Sequence, residues 1–347
     1  MASLTNFPNG ISSFGIPVLG GIAGIPFTGN YWFVNPATGL DGNSGGSPSQ
    51  ALATLYQALN KAVEGNNDVV ILIGNGQSSG TARLSTASAQ TITPAATAGT
   101  LVWNKDATHL VGVCAPSMFS QRARIAPPTG TYTQATFGSG NFVTVSSSGC
   151  FFANFSLFNG FSTGGTNQIC WTDNGQRNAY YNVHFGGMGD ATSAADAGSR
   201  SVKIGAAGSG ENYFGHCTFG LDTVARGAAN ASLELAGATP RNVFEDCLFV
   251  VDTTAATPLH ILGTGADCLD RGNILRRCQF INDIKSGSTA ISEVLSLTSA
   301  SPGGLIMFNN CSSIGATKWG DTNGLANSYV DQGPPTAATS GLAVNPS

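Results

Sequence analysis

The carboxylates Asp222, Glu234, Glu245, Asp246, Asp252, Asp267, Asp270, Asp283 and Glu293 are the residues best suited to chemistry in the second half of the chain. Breaking a glycosidic bond needs two of them, or carboxylates with a base and a bound cation, together on one outer face. The best constellation is His216, Asp246 and Arg277, which recur in the same outward position of a repeat and so form a surface line with about 5 Å between neighbours. The competing reading is a solvated ladder of exposed ion pairs with little energetic weight. The sequence favours the ladder, so no catalytic residue is assigned.

The remaining reactive types add little. His184 is one position past an inward column and is expected to face out, His109 precedes an apolar strand, and His260 lies inside one. No two histidines have metal-ligand spacing and no CxxC pair exists, so neither a metal nor any other cofactor is expected. The Asp41-Gly-Asn43 stretch reads as a plain turn rather than a cation loop. Asn154-Phe-Ser, Asn230-Ala-Ser and Asn310-Cys-Ser match the glycosylation pattern but are discounted, because two of them fall within the repeat. Trp103, Trp171 and Trp319 are aromatics left over from the repeat's columns, and they share no column that could line a sugar-binding groove.

The elements that must position these residues come from an internal repeat. Six segments stack: 150–157, 178–185, 212–219, 242–249, 273–280 and 306–313, starting 28, 34, 30, 31 and 33 residues apart. The first column holds Asn178, Asn212, Asn242 and Asn273. The third is aromatic or apolar (Phe152, Tyr180, Phe214, Phe244, Leu275, Phe308). The sixth runs to Cys217, Cys247, Cys278 and Cys311, and the eighth holds Phe185, Phe219, Phe249 and Phe280. Positions six to eight alternate in–out–in, as a half-buried strand does. Position three has the wrong parity for one straight strand, so a bend is expected between three and six, with Asn at the preceding turn.

A second apolar set (Val143–Val145, Ile169–Trp171, Val202–Ile204, Leu233–Leu235, Leu259–Leu262, Val294–Leu297) recurs once per repeat, giving at least two strands in each. Equivalent strands every ~30 residues joined without helices mean a coil of parallel strands. The fold expected is all-β, a right-handed single-stranded parallel β-helix. The cysteines in its inward column are expected to be packed free thiols.

Before the repeat, Tyr31–Val34 and Asp68–Ile73 read as strands. Pro48–Val63 has helical spacing, with Gly65 at the helix end. Such a helix would cover the open edge of the first coil. The domain reading is an apolar arm (1–30), an N-terminal cap (31–75), coils (76–316), and a C-terminal cap and tail (317–347).

The stretch "YWFVNPATGLDGNSGG…ALATLYQALNKAVEGNNDVVILIGNG", followed by "HLVGVCAP", resembles the cap and first coil of pectin-lyase-like β-helix proteins, among them many bacteriophage tailspikes and virion proteins. With the rungs, the likeness covers roughly residues 31–316. It is specific for fold and weak for function, because the fold hosts lyases, hydrolases and inert virion parts. The opening "MASLTNFPNGISSFGIPVLGG" is similar to the starts of phage structural proteins that carry such a helix.

Residues 1–30 carry no charged side chain, and their apolar residues include Phe7, Pro8, Ile11, Phe14, Ile16, Pro17 and Val18. An arm of this composition needs a surface to cover it. Its Pro and Gly spacing favours an extended form that adds to a groove or sheet edge. Charged residues are 10% of the chain against about 25% in ordinary domains. With a net charge of −4 and no basic patch, nucleic acid is not expected as a partner, nor is a membrane.

The resemblance therefore implies a structural virion protein of a tailed phage. It would be a capsid decoration or head spike on the capsid surface, a homotrimer anchored to the major capsid protein or another virion protein by its arm. The alternatives are a tailspike that binds or cleaves host surface polysaccharide and a cellular polysaccharide lyase.

Overall fold

The structure is a computed structural model. It describes residues 12–13, 16–17, 28–74, 84–85, 100–127, 133, 140–205, 209–282, 287–299, 304–321, 323 and 327–331. The chain winds as an all-β, right-handed parallel β-helix with three strands per coil, one more than the sequence columns required. Sheet 1 has ten strands, running rung by rung from Tyr31–Val34 and Val69–Ile73 to Ile306–Asn309 and Ser328–Val330. Sheet 2 has eight strands, from Leu84–Ser85 to Ser312–Ile314. Sheet 3 also has eight, from Leu101–Trp103 to Ala316–Gly320.

The register follows the repeat. Phe152 pairs with Tyr180, Tyr180 with Phe214, Phe214 with Phe244 and Phe244 with Leu275. Their rings stack with centroids 5.0, 4.5 and 4.8 Å apart along the first four. In sheet 2 a second file runs Phe185, Phe219, Phe249 and Phe280 at 5.4, 4.5 and 4.7 Å. These spacings follow from the separation of hydrogen-bonded strands, about 4.8 Å, so identical side chains in one column must stack. Each buried Phe also removes apolar area worth roughly 2–3 kcal/mol.

The expected bend falls on the fifth column. Asn154, Asn182, His216, Asp246, Arg277 and Asn310 all adopt positive φ, between 52 and 58°. One left-handed residue turns the chain from sheet 1 to sheet 2 and resets the parity, so positions three and six both point inward. Asn and Asp tolerate that conformation best, and His216 and Arg277 adopt it at some cost.

The cap differs from expectation in detail. A 3-10 turn at Pro48–Gln50 precedes the helix α1, Leu55–Lys61, which is shorter than the apolar spacing predicted. Thr54 caps α1 by accepting the Gln57 N–H, and Asp41 holds Thr54 through both its backbone N–H and its hydroxyl. The segment 45–52, rather than α1, hydrogen-bonds the free edge of Tyr31–Val34. The helix instead plugs the end of the core with Leu55, Ala58 and Leu59. At its C-terminal end, Lys105 Nζ donates to the carbonyls of Leu59 and Ala62 at 2.7 and 2.6 Å.

Candidate functional site

The fifth-column bend lifts one side chain per rung onto the outer corner between sheets 1 and 2, and there the predicted line forms. Arg277 Nε meets Asp246 Oδ1 at 2.7 Å, and its Nη2 meets Glu245 Oε1 at 2.8 Å. His216 Nε2 lies 4.0 Å from Asp246 Oδ2. The Tyr213 hydroxyl donates to Glu245 at 3.0 Å, and the Tyr181 ring packs edge-on against His216. Hydrogen bonds from Arg277 hold the Asp246 and Glu245 carboxyls below their usual range. A general acid needs a raised pKa, so this pair is set against that role.

Beside the corner, the chain between Cys114 and Ala123 runs across two successive rungs, 178–185 and 212–219. Gln121 Nε2 donates to the Asn182 carbonyl, the Ser120 N–H donates to His184 Nδ1, and the Met118 carbonyl accepts from Thr218 Oγ1. Met118 and Phe119 are left exposed on this strap. It separates two clefts. One, of about 470 Å³, is lined by Cys114, Pro116, Met118, Tyr181, Asn182 and His216. The other, of about 430 Å³, is lined by Phe119, Arg124, Phe158, His184, Leu221 and Asp222.

The strap corrects one expectation. His184 does not face solvent; it is buried, with Nε2 2.9 Å from the Gly220 carbonyl and Phe119 edge-on to its ring. Burial pushes its pKa down to about 4. Position parity was read correctly, but a remote loop covers that face. His109 and His260 are also buried, and burial takes them to about 4 and about 3.

The inward columns hold most of the remaining functional groups. The side-chain oxygens of Asn178, Asn212, Asn242 and Asn273 accept the backbone N–H of Cys150, Asn178, Asn212 and Asn242 in turn, at 2.9, 2.9, 3.2 and 3.1 Å. Cys217, Cys247, Cys278 and Cys311 are buried free thiols. Each points at a carbonyl of the preceding rung: Tyr180, Phe214, Phe244 and Leu275, at 3.3–3.6 Å. Burial raises the pKa of Cys247 and Cys278, which keeps them protonated and unreactive.

The other carboxylates are scattered. Glu234 pairs with Arg200 at 2.7 Å, Asp252 accepts from Ser288, Asp270 lies near Arg271, and Glu293 lies near Lys318. Asp283 lies outside the described residues. Asp41 serves the helix cap. Among the described residues, no cluster of three or more His, Cys, Asp or Glu is arranged to hold a metal ion.

Trp103, Trp171 and Trp319 are core residues of sheet 3, not leftovers on the surface. Of the arm, Ile16–Pro17 pairs antiparallel with Ser12–Ser13, while Phe7, Pro8, Ile11, Phe14 and Val18 lie outside the described residues.

Sequence reasoning missed Asp173, which sits on the inward face of sheet 3. Its carboxylate accepts from the Tyr180 hydroxyl at 2.7 Å and the Gly175 N–H at 2.8 Å, and burial raises its pKa to about 6. Its parity with Ile169 and Trp171 was the available signal. It also missed Arg226, buried on a connection that carries no periodic pattern.

Three strands per coil, stacked asparagine and aromatic files and a capped N-terminal end give the chain a right-handed parallel β-helix fold, the fold of pectin methylesterases. No family model matches the sequence, and no curated protein does. Among solved structures the chain is similar to a pectin methylesterase bound to a hexasaccharide, with TM-score 0.51 and 15% identity over 88% of this chain and 90% of that one. A second pectin methylesterase–hexasaccharide complex gives 0.50 and 14% over the same shares. At that identity the likeness is one of fold.

Proposed function

We propose that the chain is a structural virion protein of a tailed bacteriophage. In this reading it is a β-helix spike or decoration protein on the capsid surface, a homotrimer attached to the major capsid protein or another virion protein through residues 1–30. The observation that carries the reading is the fate of the chemistry-bearing side chains. The Asn and Cys columns are committed to the coil, and the outer carboxylates Glu245 and Asp246 are both bound by Arg277. The opening residues supply the virion assignment by resemblance, and closed cyclic symmetry supplies the trimer. Deleting residues 2–28 is expected to abolish loading onto capsids while leaving the circular-dichroism spectrum of the coil unchanged. Loading by the truncated protein would refute the anchor.

A second reading is a tailspike that binds or cleaves host surface polysaccharide. The clefts flanking the strap favour it, because they place Phe119, Tyr181 and Arg124 on an outer face. Aromatic faces and guanidinium groups are common partners of sugar rings and acidic sugars. The fold's hexasaccharide-bound neighbours are compatible with it. Particles depleted of the protein discriminate the two: loss of adsorption with intact capsid stability supports the tailspike, and retained adsorption with weakened capsids supports the decoration protein.

A further inference from the structure

The corner between sheets 2 and 3 buries a guanidinium that pairs with no carboxylate among the described residues. Arg226 is 1% exposed. Its Nη2 donates to Ser232 Oγ at 3.0 Å, and its Nη1 has no partner among the described residues. The neighbouring charge that acts on it is another cation, Arg200, whose own partner is Glu234 at 2.7 Å. Burial brings the Arg226 pKa down to about 9, which still leaves it charged at neutral pH.

The residues around it are polar donors. Arg200 pairs with Ala231 and Val202 with Leu233, which sets Ser201 beside Ser232; the next register sets Ser232 beside His260. All three are buried, and Ser201 Oγ and both ring nitrogens of His260 lack partners among the described residues. Gly220 borders the group at φ +98°, and a Cβ there would lie 2.7 Å from Arg226 Nη2 and 3.1 Å from Ser232 Oγ. The Val250 carbonyl oxygen, closer still to the same position, also keeps the backbone bare there.

A buried cation is stable only when a counter-charge is supplied, and here none comes from the described residues. A water molecule would accept the Nη1 hydrogen but leave the charge in place. We propose that this corner binds a small monovalent anion of halide size. It accepts hydrogen bonds from Arg226 Nη1 and the Ser232 hydroxyl, with Ser201 and His260, one rung to either side, as further donors. The site goes beyond the virion reading, and its success or failure leaves that reading untouched.

The test uses the full chain. Crystals grown in sodium bromide are expected to show an anomalous peak within hydrogen-bond reach of Arg226 Nη1; ordinary water density there, without anomalous signal, overturns the proposal. In solution, replacing gluconate by chloride at constant ionic strength is expected to raise the thermal midpoint to a plateau, and Arg226→Met to flatten that response. An unchanged response in Arg226→Met overturns the proposal, as does a bromide peak with no halide-dependent midpoint, which marks binding at crystal concentration only. Should Arg226→Met not fold, Ser232→Ala replaces it: a plateau reached only at higher chloride supports the site, and an unshifted curve refutes it.

Discussion

The side-chain oxygen of Asn212 accepts the backbone N–H of Asn178 at 2.9 Å, so each rung closes a donor left open by the turn before it. Both residues are 1% exposed, so bulk solvent does not reach the bond. Asn212→Ala is expected to destabilise the coil by about 1–3 kcal/mol, the cost of a buried unsatisfied donor. Asn310→Gly, on the exposed corner at positive φ, should be close to neutral, because Gly adopts that conformation freely. Chemical denaturation of the two variants, compared by midpoint, checks the difference. Equal losses would mean that the ladder contributes nothing beyond its shape.

All eight cysteines are free and seven are buried, leaving Cys114 as the partly accessible one. Native protein treated with iodoacetamide is expected to carry the label at Cys114 first, and at the column cysteines only after unfolding. Mass spectrometry of the alkylated peptides checks this. Early labelling at Cys247 or Cys278 would show that the coil opens locally.

The buried histidines set the acid limit. His109, His184 and His260 are depressed to about 4, 4 and 3 from an ordinary 6.5. Each therefore contributes stability that is present above pH 6.5 and lost as the pH falls through the folded value, on the order of a few kcal/mol for a fully buried ring. The thermal midpoint should fall steeply between pH 6 and pH 4. His184→Gln is expected to soften that fall, and the pH dependence of the midpoint in the variant is the measurement.

Asp173 acts with the opposite sign. Its folded pKa, raised to about 6, exceeds the ordinary 3.8. Its contribution is thus greatest below pH 3.8 and is lost as the pH rises through 6. The stability of Asp173→Asn relative to the parent should improve as the pH rises from 4 to 7. A difference that does not change with pH would mean that the carboxyl has the same pKa folded and unfolded.

Much of the coil could be read before the structure. The Asn, aromatic, Cys and Phe columns recur at nearly fixed spacing, and a parallel coil is the arrangement that stacks them all. Their period also placed a bend between positions three and six. Which residue makes that turn was not visible, because Asn154, His216 and Arg277 share no side-chain chemistry, only a positive φ. His184 was assigned to the wrong environment for a related reason: its cover comes from Ser120 and Phe119, 64 residues away in the case of Ser120.

The sequence by itself determined the repeat, the inward columns and the uncharged opening segment, since each depends on residue type and spacing along the chain. Only the tertiary structure decided that the three tryptophans are core, that Arg277 reaches Glu245 as well as Asp246, and that Arg226 is buried with no carboxylate against it among the described residues. Those facts depend on which rung lies beside which and on what a connecting loop covers. Neighbours across a rung are about 30 residues apart in sequence and about 4.8 Å apart in space, and outside the repeat's columns local patterning carries no record of them.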